Sequence, residues 1–189
     1  DIFLLNAPVF HNLYNNYYYY VDTFYICVCF LLISFIILYI YQMFKGYTFG
    51  ITNGIVTMIS LIVGLYSTNV NKIGIIGAII AMLISDPLAD AYAIYNAEHD
   101  RDPKNAYKSF LSAFSSQVFM QLIILLIVII SPDTITAVYT SVIIGFITII
   151  GWGIYNKKKY DDIAKNLSII SFIIAITYWI DRSVYLNYK

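Results

Sequence analysis

Long runs of apolar residues, each sufficient to cross a lipid bilayer, recur along this chain of 189 residues. A bilayer core of about 30 Å requires roughly 20 helical residues, and a helix satisfies its own backbone polar groups inside lipid. Charged residues make up only 12% of the chain, whereas soluble domains average about 25%. We therefore predict an all-α, polytopic helical bundle in contact with membrane lipid. The six predicted spans are residues 21–44, 49–66, 73–98, 109–130, 134–155 and 163–180.

Composition divides the chain into four segments. Residues 1–20 are polar and aromatic, with a tyrosine run typical of the membrane interface, and residues 21–46 are predicted to form an additional transmembrane helix. Residues 47–182 form a membrane domain with the other five spans, and residues 183–189 are a short tail. The predicted fold is thus one membrane domain of five helices, preceded by one extra helix.

Charge and residue spacing exclude several classes of function. The formal net charge is zero, so no nucleic-acid-binding surface is predicted. The serines within the spans have no partner histidine there, and no phosphate-binding glycine loop is present. The protein is therefore predicted not to be an enzyme and to hold no tightly bound cofactor. The serines of residues 109–116 are instead expected to hydrogen-bond a neighbouring helix.

The distribution of lysine and arginine predicts the orientation of the spans, because cytoplasmic connectors carry more of these residues. Eight lie on one side of a six-span bundle and three on the other. The connectors at residues 98–108 and 156–162 are therefore predicted to be cytoplasmic, and both termini lumenal or external. The larger group is Lys45, Arg101, Lys104, Lys108, Lys157, Lys158, Lys159 and Lys165, and the smaller is Lys72, Arg182 and Lys189.

Two aspartates inside the third span are the strongest candidates for a functional site. Asp86 and Asp90 are four residues apart and Met82 lies one turn before them, so a helix places all three on one face. A carboxylate in hydrocarbon costs roughly 2.5–3.5 kcal/mol on insertion scales, and such residues mark ion pathways. Two acids one turn apart repel, so we expect them to share a cation or a proton. The alternative is structural, because an aspartate beside Pro87 can cap a broken helix or bond a polar neighbour.

Glu98 and His99 extend this acidity to the cytoplasmic end of the same span. Carboxylate and imidazole ligands suit divalent iron, manganese or zinc, so both residues are predicted at the mouth of a cation pathway. The alternative is an ordinary solvated connector, in which Arg101 and Lys104 neutralise the acidic residues. Asn53, near the start of the preceding span, is a further candidate ligand, although an Asn-Gly pair there also fits a plain helix start.

Two segments resemble the vacuolar iron transporter family. GITNGIVTMISLIVGL is similar to the family's glycine-rich first helix, with Gly50 and Gly54 at matching positions. IISDPLADAYAIYNAEHD is similar to its second helix, with Asp90 and Glu98 at matching positions. The resemblance covers residues 49–181 and implies five family helices. The family exchanges ferrous or manganous ions for protons, which makes the predicted function divalent metal transport.

The resemblance also implies a homodimer in an intracellular organelle membrane, with the ion path between subunits and Asp90 as its dominant ligand. Gly50, Gly54 and Gly64 are expected to bring the second and third spans close to the partner subunit. The chain departs from the family pattern by carrying Asn53 in place of an aspartate, by its extra N-terminal span, and by lacking a long cytosolic metal-binding insert. These departures favour the alternative, a non-transporting membrane scaffold that keeps the fold.

Overall fold

The computed structural model describes residues 45–187, which form five long α-helices and no strand. All five are long and apolar enough to cross a membrane, so the protein is an integral membrane protein with a helical bundle, as predicted. The predicted extra helix and the segment 1–20 lie outside the described residues. The helices are α1 Lys45–Ser67, α2 Lys72–His99, α3 Pro103–Ile130, α4 Thr134–Tyr155 and α5 Tyr160–Asn187.

The helices extend past the apolar runs that predict them, and the connectors are correspondingly shorter. Only residues 100–102 separate α2 from α3, because α3 already begins at Pro103. Proline is tolerated in the first turn of a helix, where the backbone N–H that it lacks would have no partner within the helix. Residues 156–159 separate α4 from α5, and α5 continues through most of the predicted tail. Apolar content marks the lipid-embedded part of a helix, whereas backbone hydrogen bonding continues beyond it. Successive helices are therefore antiparallel neighbours.

Polar side chains cap the first turns of α2 and α4. The side chain of Asn71 accepts a hydrogen bond from Gly74 N at 2.8 Å, and that of Asp133 accepts one from Thr136 N at 2.6 Å. Each bond satisfies a backbone donor that the helix itself leaves unpaired. The bonds from Thr136 hold the pKa of the Asp133 carboxyl below its ordinary value.

Two basic side chains close helix ends at the side of the bundle opposite the connector between α2 and α3. Lys72 Nζ donates to Ile129 O at 2.9 Å and to Ser131 O, and Arg182 Nη1 donates to Ser67 O at 3.2 Å. The last carbonyls of a helix lack intrahelical donors and carry partial negative charge, so cations stabilise them. Lys72 and Arg182, two of the three basic residues on the side predicted to carry fewer of them, therefore cap the C-terminal ends of α3 and α1.

The helix α3 is the centre of the bundle. It packs most extensively against α1 and α2, and α1 also contacts α5 and α4. In the most apolar stretch of α3, 61% of the residues are buried, compared with 17% for α2 and 11% for α5. The helices α2 and α5 therefore lie at the periphery. The largest buried apolar side chains include Ile55, Met58, Ile59 and Ile62 of α1 and Leu122, Ile124, Leu125 and Val128 of α3.

Glycines on α1 allow it to lie close against α3. A Cβ at Gly50 would overlap Ser116 Oγ and a backbone carbonyl of α3, and a Cβ at Gly54 would lie 2.9 Å from Gln117 O. Small residues permit such approach in lipid, where packing rather than hydrophobicity drives helix association. The prediction that these glycines face a partner subunit is wrong, since they contact α3 of their own chain. The same correction applies to Gly64, which contacts α5.

The buried serines of α3 hydrogen-bond to their own helix. Ser115 Oγ donates to Leu111 O at 2.6 Å, and Ser116 Oγ donates to Ser112 O at 2.6 Å. The expectation that they bond a neighbouring helix is therefore wrong. A hydroxyl that reaches a carbonyl one turn back needs no partner from another helix. These serines act instead as small residues that admit α1.

We expect Gly50→Ala to destabilise the bundle by about 1–3 kcal/mol, the usual range for overpacking a well-packed contact. The added methyl would overlap Ser116 Oγ and force α1 away from α3. The matched control is Gly77→Ala on α2, where a Cβ meets nothing within 4 Å. Because alanine favours a helix more than glycine does, the control should be neutral or stabilising. Thermal unfolding in detergent measures both, and equal stability of the two variants would contradict the close contact.

Candidate functional site

The two aspartates predicted as a site lie midway along α2. Asp86 follows the first residue of α2 by 14 positions and precedes its last by 13, so it lies about 20 Å from either end. Both Asp86 and Asp90 are partly buried. Since the hydrocarbon core is about 30 Å thick, Asp86 lies inside it when α2 spans the membrane. A carboxylate at that depth requires polar partners from the protein.

Three amide side chains supply those partners. Gln117 Nε2 of α3 donates to Asp86 Oδ2 at 2.9 Å and to Asp90 Oδ2 at 2.8 Å. Gln121 Nε2 donates to Asp86 Oδ2 at 2.9 Å, and Asn53 Nδ2 of α1 donates to Asp90 Oδ2. We call these five residues the acid–amide network. It joins the three helices α1, α2 and α3.

The matching spacing of the two pairs explains how the network forms. Asp86 and Asp90 are one turn apart on α2, and Gln117 and Gln121 are one turn apart on the neighbouring antiparallel helix α3. Residues four apart share a helix face, so two such pairs meet when the faces pack together. Both glutamines are fully buried. The acids thus meet the most enclosed part of the bundle.

The glutamines also carry unused hydrogen-bonding capacity. Gln117 Oε1 and Gln121 Oε1 are buried and have no hydrogen-bond partner among the described residues. Most buried polar atoms in folded proteins are paired, so two unpaired oxygens side by side call for an explanation. Turning either amide would point its oxygen at the carboxylates. Such an arrangement of oxygens requires a cation between them or a proton on a carboxyl group.

The donor set of the network consists of oxygen ligands. Within residues 45–187 no group of three or more His, Cys, Asp or Glu side chains comes together as a metal site. The two carboxylates are instead accompanied by the amides of Asn53, Gln117 and Gln121, which would add oxygen ligands if they turned over. Carboxylate and amide oxygens suit hard divalent cations such as Mn²⁺, Mg²⁺ and Ca²⁺.

The other predicted ligands do not join this network. Met82 is partly buried and lines a separate cavity between α1, α2 and α5. His99 is exposed at the end of α2, where its ring stacks on Tyr95 with 5.3 Å between centroids. Glu98 lies beside it, and its carbonyl accepts backbone bonds from the connector to α3. Eight residues separate Asp90 from Glu98, or about 12 Å along the helix.

Asn53 enters the network as a donor to Asp90 rather than as a lone candidate ligand. The predicted set is therefore divided: Asp86, Asp90 and Asn53 are brought together, whereas Met82, Glu98 and His99 lie elsewhere. Gln117 and Gln121 are absent from the predicted set. A sequence signal for them existed, namely two amides four residues apart where the serine-rich half of the fourth span meets its apolar half.

Pro87 lies buried between the two acids, and α2 remains helical through it. Proline has no N–H, so the carbonyl one turn earlier, that of Leu83, receives no helical bond from it. The broken helix of the structural alternative is not present, because α2 continues through Pro87. The two acids therefore keep the one-turn spacing that the glutamines match.

Comparison with protein-family models, curated proteins and solved structures returned no match. The resemblance to vacuolar iron transporters therefore stays a prediction carried by the two segments quoted above. Function is inferred below from the geometry of the acid–amide network.

We expect Gln117→Leu to be more destabilising than Gln121→Leu. The first change removes the donor that both carboxylates share, whereas the second removes a donor from Asp86 alone. A buried polar group left unpaired costs about 1–3 kcal/mol, so the difference should be measurable as a lower midpoint of thermal unfolding in detergent. Equal midpoints, or the reverse order, would show that the shared donor does not stabilise the acids.

Proposed function

We propose that the protein moves a divalent cation across the membrane and that the acid–amide network is its binding site within the bilayer. The supporting observation is a pair of carboxylates at mid-membrane depth next to two buried amide oxygens that lack partners. A purely structural network gains nothing from unpaired oxygens. A site that alternates between an empty and a loaded form needs such reserve ligands.

Charge balance supports a divalent ion as the cargo. Two ionised carboxylates and one divalent cation sum to zero, which is the least costly state in a medium of low dielectric. When the cation leaves, protons can take its place on the carboxylates, so movement of the ion is coupled to movement of protons. We therefore propose exchange of a divalent metal ion for protons.

Of the two ions that the resemblance implies, ferrous and manganous, the chemistry of the donors favours manganous ion as the cargo. All candidate ligands in the network are oxygens, and the thioether of Met82, which would favour the softer ferrous ion, lies outside it. The resemblance to vacuolar iron transporters is compatible with either ion. Mn²⁺ is accordingly the first probe for the experiments below.

The amides act as a reversible substitute for the ion. In the empty form the N–H groups of Gln117, Gln121 and Asn53 satisfy the carboxylate oxygens. On loading, each amide can rotate about its terminal bond and present oxygen instead. The hydrogen bonds are regained when the ion departs, so neither form leaves a bare carboxylate in the membrane.

A second candidate function, a non-transporting scaffold, is favoured by one observation. The network already ties three helices together without any ion, as a structural network would. The two functions differ in what Asp90→Asn should do. If the protein is a scaffold, Asp90→Asn keeps the fold and neither protein takes up the ion. If it is a transporter, Asp90→Asn keeps the fold but loses the uptake that the wild type shows.

We further propose a homodimer, with α2 rather than α1 as the contact surface. Ala81, Ser85, Ala89 and Ala93 form a stripe of small, exposed residues at four-residue spacing on α2. Small residues at that spacing favour close helix–helix contact in lipid. The stripe lies immediately beside the partly exposed acids, which a partner subunit would shield from hydrocarbon. An intracellular organelle membrane is proposed from the resemblance alone.

In proteoliposomes we expect the wild-type protein to take up Mn²⁺ and Asp90→Asn to abolish uptake, because half of the negative charge is removed. Uptake should also slow as cytoplasmic pH falls, since protons compete with the ion for the carboxylates. Asp133→Asn is the control, because asparagine caps a helix as well as aspartate does. If wild type and Asp90→Asn take up Mn²⁺ equally, the site is misassigned. If the folded wild type takes up none, the scaffold is correct.

A Ser85→Cys variant lacking the two native cysteines, Cys27 and Cys29, should form a disulfide-linked dimer under mild oxidation in native membranes. Tight packing across the stripe brings the two copies of position 85 together. Ile169→Cys, exposed on α5, is the control and should remain monomeric. Efficient cross-linking of the control with none at position 85 would place the dimer contact on α5 and refute the proposed surface.

A further inference from the structure

A cavity whose wall is largely apolar, with a few polar groups, lies between α1, α2 and α5, on the side of the acid–amide network away from the connector between α2 and α3. Its volume is about 470 Å³. We call it the outer cavity. Thr57 and Ser60 of α1, Met82 of α2, and Thr177 and Asp181 of α5 line it. Hydroxyl, thioether and carboxylate groups thus converge on one space.

The outer cavity begins where the network ends. Thr57 lies one turn beyond Asn53 on α1, and Met82 lies one turn before Asp86 on α2. Because α1 and α2 run in opposite directions, these two steps lead the same way through the membrane. The residues that line the cavity therefore continue the line of polar groups from mid-membrane depth towards the other surface.

Asp181 carries the only carboxylate that lines this cavity. An added Cβ at Gly64 would overlap its Oδ2, so the glycine makes room for the charged group. No hydrogen bond or ion pair joins the Asp181 carboxylate to the described part of the chain. The adjacent Arg182 is engaged elsewhere, since it donates to Ser67 O and lies 5.6 Å over the Tyr185 ring.

The two hydroxyls that α1 places beside the cavity differ in their surroundings. Thr57 Oγ1 donates to Asn53 O at 2.9 Å, whereas Ser60 Oγ is buried and has no hydrogen-bond partner within residues 45–187. The Thr57 bond connects the wall of the cavity to Asn53 of the acid–amide network.

We infer that the outer cavity is a second cation site, which receives the ion from the acid–amide network and releases it at the far surface. This inference rests on the proposed transport function. A cation with six waters needs on the order of 200 Å³, taking about 30 Å³ for each water, so the cavity accommodates a hydrated divalent ion. Asp181 attracts the ion, and the hydroxyls bond its waters. From Asn53 to Gly64 the path extends about 16 Å along α1.

The test combines Mn²⁺ uptake with thiol labelling in the full chain. Thr177→Cys, in a background of Cys27→Ser and Cys29→Ser, places one thiol in the cavity. It should react with an impermeant thiol reagent added from the side opposite the connector between α2 and α3, and Mn²⁺ should slow the reaction. Adding Asp181→Asn should raise the Mn²⁺ concentration for half-protection about tenfold, the effect of losing one charge-assisted contact.

Four variants separate this site from the acid–amide network. Asp161→Asn, exposed at the other end of α5, should change neither uptake nor protection. Asp90→Asn should abolish uptake but leave Mn²⁺ protection of Thr177→Cys unchanged. Asp181→Asn should slow uptake, and Asp181→Glu should restore part of it because the carboxylate returns. Restoration by glutamate excludes a merely structural role for the aspartate.

The outcomes distinguish failure of this inference from failure of the proposed function. If the wild type takes up Mn²⁺ and Asp181→Asn takes it up at the same rate, the outer site is wrong and transport stands. The same holds if Mn²⁺ protects Thr177→Cys equally well with and without the Asp181 carboxylate. Protection that depends on Asp181 without any uptake by the wild type supports the site and overturns transport. Absence of both uptake and protection overturns the two together.

Discussion

The contact between α1 and α3 at Gly54 and Gln117 sets the geometry on which the rest of the bundle depends. The backbone carbonyl of Gln117 lies 2.9 Å from where a Cβ at Gly54 would be, while its side-chain amide donates to Asp86 and Asp90. Because the glycine admits α1 so closely, the preceding Asn53 reaches Asp90. One residue of α3 thus links the packing of α1 to the solvation of the acids on α2.

Neutral amides suit this position better than charged partners would. A lysine or arginine paired with each acid would cancel its charge permanently, whereas an isolated carboxylate in lipid would be costly. An amide N–H stabilises the carboxylate and leaves its charge for a cation or a proton to neutralise. Under the proposed function, the same side chain holds an oxygen in reserve, so that one group would serve both the empty and the ion-loaded form. For this reason the unpaired oxygens of Gln117 and Gln121 support the proposed cation site more strongly than the hydrogen bonds do.

The apolar runs were sufficient to predict the five described helices, because hydrocarbon admits few alternatives to a helix. The shared face of Asp86 and Asp90 was equally predictable from their spacing. The partners of the acids were not, since they depend on which helix packs against α2. Met82 shows how far four-residue spacing predicts a shared helix face. Residues four apart are offset by about 40° around the helix axis. From Asp90 through Asp86 to Met82 the side chains therefore turn away from the network and towards the outer cavity.

The caps made by Lys72 and Arg182 have a consequence for the order of assembly in the membrane. Lys72 closes the end of α3 across 57 residues of chain, and Arg182 closes the end of α1 across 115. At ribosomal rates of about 5–20 residues per second, α1 waits on the order of ten seconds for its cap to be synthesised. Until then the carbonyl of Ser67 must be solvated by water or lipid headgroups. Among the described helices, α5 emerges last and is therefore the one that completes the end of α1.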